Sequence, residues 1–227
     1  MFDKFPEFIT EDTRYHDPDD PTTNSKDNPR GQLITFEKSL VKHKTMLSKE
    51  MCENSSMLDL GSCVSASGAW ALEHGAMSYT GVEVSNRNCD VAVKNLQKYF
   101  SPSLWSVHNT SVLEWFSENE QMYDIVFAGG ILYGHEDQIH FLEECAKRTK
   151  KYLIIESKDT EPFHSDIPMS IYKPINVMSS GKGAMVRCSN IPFIDMVLSP
   201  LGFTIEKTKF YPTSHRFAVI YVSSPTP

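Results

Sequence analysis

No apolar run in this chain approaches the roughly 20 residues that a helix needs to span a bilayer, so no membrane helix is expected. Basic residues are in deficit: 22 Lys and Arg stand against 29 Asp and Glu, giving a net charge of −7. Proteins that hold nucleic acid mainly through its phosphates carry a basic surplus, so the overall charge gives that class no support. Cysteines number five, with no CxxC pair and no Cys/His cluster. That argues against a disulfide framework and a structural metal, and for reduced thiols in a cytoplasmic protein. The stretch Met1-Phe-Asp-Lys-Phe-Pro lacks a basic segment followed by an apolar one, so no secretory leader is expected. A Gly-x-Gly-x-x-Gly turn is also missing, which disfavours a dinucleotide oxidoreductase.

The 227 residues suffice for one sizeable core, and a 40% hydrophobic content suits an ordinary globular domain. Residues 1–31 are rich in Asp, Pro, Thr and Asn and predict a flexible acidic arm. Phe2, Phe5, Phe8 and Ile9 are its apolar exceptions, able to dock on the domain. Residues 32–227 predict a single domain. Leu33, Phe36, Leu40, Val41, Met46 and Leu47 fall at near-helical spacing and predict a helix over 33–51. Strand signals then follow at 56–61, 78–83, 104–108, 123–128 and 151–156. Helix signals alternate with them at about 66–75, 87–99, 112–118 and 137–149, the last capped by Asp137 with Ile139, Phe141, Leu142 and Cys145 inward. Such alternation implies an α/β fold with a doubly wound, mostly parallel sheet. Residues 158–191, with Pro162, Pro168, Pro174 and Ser179-Ser-Gly-Lys-Gly183, read as a long loop, an insert able to act as a lid. A helix at 192–201 ended by Gly202 and strands at 203–209 and 216–222 complete seven strands, one of them antiparallel near the C-terminus.

Chemistry concentrates at Ser56-Met-Leu-Asp-Leu-Gly-Ser-Cys-Val-Ser-Ala-Ser-Gly68 and Tyr79-Thr-Gly-Val-Glu83. These read as strand, tight turn of small residues, helix, and a second strand ending on a carboxylate. A carboxylate some twenty residues past a glycine turn is placed to accept hydrogen bonds from a nucleoside ribose. Gly61 permits close backbone approach, and the following helix N-terminus suits an anionic group. Any tight strand-to-helix turn can use glycine; Glu83 is what tips the reading toward a ligand. Cys63 at a helix start could be a reactive thiol, or simply a small residue.

These motifs, with Tyr123-Asp-Ile-Val-Phe-Ala-Gly-Gly-Ile-Leu-Tyr133, make the chain resemble the class I S-adenosylmethionine-dependent methyltransferases. The resemblance covers residues 40–160 and, in outline, 190–223. It implies a Rossmann-like seven-stranded fold and S-adenosylmethionine as cofactor, bound by Asp59, Gly61, Ser62, Cys63, Glu83, Val84, Ser111, Val112, Ala128 and Gly129. Glu83 would grip the ribose, the 61–65 turn the amino-acid end, and Ser111 with Val112 the adenine. Ser111 could equally cap the helix that follows it. The family's Gly-x-Gly-x-Gly turn departs here to Gly61-x-Cys63-x-Ser65, and no Asp stands at the adenine position.

Methyl transfer needs alignment of the nucleophile, exclusion of water and, for a protonated nucleophile, a base. The residues after the fourth and fifth strands are candidates: Gly129, Gly130, Tyr133, Gly134, His135, Glu156 and Ser157. His135 is the expected base and Tyr133 the expected pocket wall, although His135 could instead cap the next helix and Glu156 could hold the adjoining loop. His164, Tyr172, Lys182 and Arg187 sit in the insert, where a lid would draw substrate contacts. A small-molecule acceptor is expected. An RNA base, contacted through Lys147-Arg-Thr-Lys-Lys151, Lys182 and Arg187, is the alternative, and a degenerate, non-catalytic binding module the third reading.

Overall fold

The computed structural model describes residues 46–158, 160, 166–176, 183–211 and 216–224. The expected arm, most of the 33–51 helix, His164, Lys182 and the hairpin turn at 212–215 lie outside them. The inner strands are buried over most of their length, as strands covered on both faces are. These are β1 (Ser56–Leu60), β2 (Ser78–Glu83), β4 (Tyr123–Gly129) and β5 (Thr149–Lys158). With β3 (Trp105–Asn109), β8 (Phe203–Tyr211) and β9 (Arg216–Ser223) they form one seven-stranded sheet, ordered β3-β2-β1-β4-β5-β9-β8. Strand β9 pairs antiparallel with both β5 and β8, while the β1–β2, β2–β3 and β4–β5 ladders are parallel. This is the Rossmann-like, mostly parallel sheet with one antiparallel strand that the sequence predicts. Among the described residues no helix is long and apolar enough to cross a membrane.

The chain divides into two compact units, Met1–Val112 with Asn176–Ala184, and Leu113–Ile175 with Met185–Pro227. In the first, α1 (Lys49–Cys52) is a single turn capped by Ser48, whose hydroxyl accepts from the Met51 amide at 3.3 Å. Helix α2 (Ala66–Glu73) follows β1, and its Trp70 indole donates to the Leu47 carbonyl at 2.9 Å. Helix α3 (Asn86–Tyr99) starts at Ser85, whose hydroxyl accepts from Asn88. It buries Cys89, Ala92 and Leu96, one stripe of a 3.6-residue period.

In the second unit, α4 (Val112–Glu118) buries Trp115 and Phe116. Asp137 caps α5 (Gln138–Lys147) as predicted, accepting from the His140 amide at 2.9 Å. Phe141, Leu142 and Cys145 point inward, whereas Ile139, expected inward, is exposed because it falls off that stripe. Residues 158–191 are not loop throughout. They contain β6 (Ser170–Asn176) and β7 (Gly183–Ser189), paired as a separate two-stranded sheet. Pro174 hid this from the sequence, since proline argues against an inner strand yet is tolerated on an edge, and a two-stranded ribbon is all edge. Helix α6 (Ile191–Leu198) begins at Asn190, whose side chain accepts from the Phe193 amide. Gly202, at φ 86°, ends the 3-10 turn that follows it.

Candidate functional site

The turn after β1 is held from below and from the side. Val82 O accepts from the amides of Gly61 (2.9 Å) and Ser62 (3.0 Å), tying the turn to β2. Gly61, Cys63 and Ser65 all take left-handed backbone conformations, at φ 70°, 50° and 61°. The second and third are the positions where the resembled family carries glycine. The turn therefore keeps a glycine-like path without the glycines, at a strain of about 1–2 kcal/mol per residue. Ser65, the N-cap of α2, makes no side-chain cap bond to this helix.

Beneath the turn lies a buried polar cluster. Asp59 Oδ2 accepts from the hydroxyls of Ser67 and, at 3.1 Å, Tyr79. Burial, reinforced by the charge of Asp59, pushes the Tyr79 phenol well above its usual range, so it stays a donor. Close packing explains two glycines. A Cβ at Gly68 would lie 2.3 Å from the Tyr79 ring, and one at Gly81 would lie 2.8 Å from the Tyr79 hydroxyl and 2.9 Å from Ser62 Oγ. Asp59 thus ties α2 to β2 beneath the turn.

Glu83 ends β2 almost fully buried. Its Oε2 accepts from the Cys63 amide at 2.8 Å and its Oε1 from the Ser85 amide at 2.9 Å. A carboxylate offers about four acceptor positions, so two lone pairs remain. Asn109, opposite Glu83 on β3, donates to the carbonyls of Glu83 (3.1 Å) and Val84 (3.0 Å) and fixes the backbone there. Val84 itself is 71% exposed, an unusual place for valine. Ser111 and Val112 stand at the β3–α4 junction, both half-buried. The structure brings Asp59, Gly61, Ser62, Cys63 and Glu83 together at the carboxyl ends of β1 and β2.

The remaining expected residues belong to the second unit. Ala128 is buried and Gly129 half-buried at the end of β4. Tyr133 follows in a 3-10 turn, its ring flanked by the Lys158 ammonium at 5.4 Å and the Arg216 guanidinium at 5.3 Å. Glu156 is bidentate with Arg216, through Nε to Oε1 and Nη2 to Oε2 (3.1 Å). His135 stacks on Phe141 with ring centroids 4.2 Å apart, and burial lowers its pKa, favouring the neutral imidazole. Ser157 is buried on the opposite side of β5 from Glu156. Tyr172 is exposed, while Arg187 donates to Ser170 Oγ (2.8 Å) and Glu136 O (2.6 Å), joining the insert to the start of α5.

The basic run at the end of α5 is largely engaged. Lys147 pairs with Glu144 and Lys151 with Asp124, at 2.5 and 3.3 Å. Arg148 is buried, stacked on Phe116, and donates to Asn119 O at 2.9 Å. All five cysteines are buried thiols outside any disulfide, and burial pushes Cys52 up to about 12 and Cys89 and Cys145 upward. Among the described residues no group of three or more His, Cys, Asp or Glu side chains could hold a metal ion.

Sequence reasoning missed Tyr79, Ser67, Asn109, Lys158 and Arg216. Tyr79 carried a usable signal, a large aromatic two residues before the strand glycine and therefore on the same face. Lys158 and Arg216 carried none, because their meeting depends on the β5–β9 register.

No family profile matches the sequence, and no curated protein sequence does. Solved structures do match. The 1,6-didemethyltoxoflavin-N1-methyltransferase of Burkholderia thailandensis, with bound 1,6-didemethyltoxoflavin and S-adenosylhomocysteine, aligns at TM-score 0.65 and 15% identity, over 99% of this chain and 91% of that one. Magnesium protoporphyrin IX methyltransferase from Synechocystis PCC 6803, with bound S-adenosylmethionine, aligns at TM-score 0.63 and 13% identity, over 85% and 81%. An S-adenosylmethionine-dependent methyltransferase from Mesorhizobium loti aligns at TM-score 0.61 and 13% identity, over 80% and 95%. The chain has the class I methyltransferase fold.

Proposed function

We propose that this protein is an enzyme that transfers a methyl group from S-adenosylmethionine to a small-molecule acceptor. One observation carries the reading: Glu83, locked by the Cys63 and Ser85 amides, is tied to the turn that leads into α2, whose N-cap Ser65 makes no side-chain cap bond. Two lone pairs on a fixed carboxylate suit the two hydroxyls of a ribose. The α2 amides suit the carboxylate of the cofactor's amino-acid end. The left-handed Cys63 and Ser65 answer the objection that lost glycines disable the turn, since its backbone path is kept.

S-adenosylmethionine supplies an activated methyl group on a sulfonium. The protein's own residues bind, orient and exclude water. Asp59, through Tyr79 and Ser67, fixes the turn; Gly61, Ser62 and Cys63 line it. Val84, Ser111 and Val112 are the proposed adenine contacts, and the exposed Val84 gives the ring an apolar surface. Ala128 and Gly129 are the further proposed cofactor contacts, from the end of β4. His135, kept neutral by burial, can accept a proton at a ring nitrogen, and Tyr133 contributes a hydroxyl and an aromatic wall.

A small acceptor is favoured over RNA because, of the α5 basic run, Lys147, Arg148 and Lys151 pair with Glu144, Asp124 and backbone carbonyls. The structurally similar Burkholderia enzyme also holds a small heterocycle. The test is to incubate the protein with methyl-labelled S-adenosylmethionine and, separately, a small-metabolite extract or total RNA. Label is expected in the metabolite fraction; label in RNA alone, or in neither, contradicts the reading.

A further inference from the structure

On the rung where β5 meets β9, Lys158 is the direct cross-strand partner of Arg216. Cross-strand partners share a sheet face, and Glu156, two residues before Lys158, shares it too. On this rung and the next toward the strand interior, β5 contributes Lys158 and Glu156 to that face and β9 contributes Arg216. The carboxylate is the inner member: Glu156 is 4% exposed in its side chain, against 24% for Arg216. Both cations lie over the Tyr133 ring, Lys158 at 5.4 Å and Arg216 at 5.3 Å from its centroid. What the face presents outward is thus net positive charge around an aromatic ring.

Like charges placed directly opposite each other on an antiparallel ladder repel. Burial, and next the charge of Arg216, hold the Lys158 ammonium below the usual lysine range, with Lys173 adding to the repulsion. An arriving anion would relieve both. Gly130, at φ 82°, passes so close to the pair that a Cβ there would sit 2.8 Å from Arg216 Nη2 and 3.3 Å from Glu156 Oε2. The cluster also lies at the carboxyl ends of the parallel strands β4 and β5, where open α/β sheets bind their ligands.

We infer that Lys158, Arg216 and Tyr133 form an oxyanion subsite that receives a carboxylate or phosphate group borne by the methyl acceptor. The inference rests on the methyl-transfer reading and narrows it to small acidic acceptors. Glu156 holds Arg216 in position, Tyr133 packs against the body of the acceptor, and Lys158 supplies the charge that meets the anion.

The test titrates the full-length protein calorimetrically with benzoate, with phenyl phosphate and with neutral benzamide, for wild type and Lys158→Gln. S-adenosylmethionine is titrated into the same samples. One of the two anions is expected to saturate a single site on wild type, which tells carboxylate from phosphate, while benzamide does not. Lys158→Gln should weaken that anion by about tenfold or more, the scale of a charge-assisted contact, and leave S-adenosylmethionine affinity unchanged. Failure of both anions to saturate, or equal anion affinity in the variant, overturns the subsite while cofactor binding keeps the broader reading alive. Anion binding without any S-adenosylmethionine binding overturns its assignment to a methyl acceptor.

Discussion

Glu83 and Glu156 stand near the carboxyl ends of parallel strands, one in each unit, and both are nearly buried. Glu83 accepts from the backbone amides of Cys63 and Ser85. Glu156 accepts from the guanidinium of Arg216. The first carboxylate is held by groups that no side-chain substitution removes, and it keeps lone pairs for a neutral ligand. The second is held bidentate by the Arg216 side chain from another strand, with further positive charge beside it. A backbone-held carboxylate makes a rigid cradle for neutral hydroxyls; a side-chain-held one makes a face whose charge depends on its partner.

That contrast breaks most visibly at Arg216. Arg216→Met removes both guanidinium bonds from buried Glu156, and about 3 kcal/mol of stability should be lost, the low end for a broken buried pair because the guanidinium keeps some water. Chemical denaturation reads this, and an unchanged midpoint would erase the distinction between the two carboxylates. Tyr79→Phe removes one donor from buried Asp59 and should cost about 1–3 kcal/mol. Unlike the first variant it should also weaken S-adenosylmethionine binding, because the turn rests on that cluster. Equal cofactor affinity would show that the turn needs no support from below.

Smaller effects sharpen the same comparison. Cys63→Gly and Ser65→Gly relieve roughly 1–2 kcal/mol of left-handed strain against roughly 0.5–1 kcal/mol of added chain entropy. Each should therefore stabilise by up to about 1 kcal/mol in thermal or chemical unfolding; destabilisation would mean that the side chains matter more than the backbone path. The mildest effect concerns His135. Burial lowers its folded pKa below the usual 6.5, so the unfolded chain binds the proton more readily. Stability should rise with pH from the folded value up to about 6.5 and level off above it. His135→Phe should flatten that part of the stability–pH curve; an unaltered slope would place its cause elsewhere.

Sequence reasoning reached the first carboxylate and not the surroundings of the second for a physical reason. The β1 turn, α2 and β2 are local, and a small-residue turn followed by Glu83 keeps its meaning without tertiary information. Even there, the left-handed backbone of Cys63 and Ser65 was not legible, because such conformations in non-glycine residues leave no mark in composition. Glu156 and Arg216 are 60 positions apart and meet through a ladder register that periodicity does not fix. Strands β6 and β7 were hidden by Pro174 and the glycines near 181–183, which signal loops in most contexts. Asp137, Gly202 and the apolar strands were legible because caps, breakers and doubly buried strands each act within a few residues.

The central claim is that Glu83 holds the ribose of S-adenosylmethionine. Calorimetric titration of that cofactor into wild type and Glu83→Ala tests it most directly. The account predicts one site on wild type and at least about tenfold weaker binding in the variant, since charge-assisted hydrogen bonds are worth about 1.5–3 kcal/mol. Saturable binding of equal affinity in both proteins, or no binding to wild type, would contradict it.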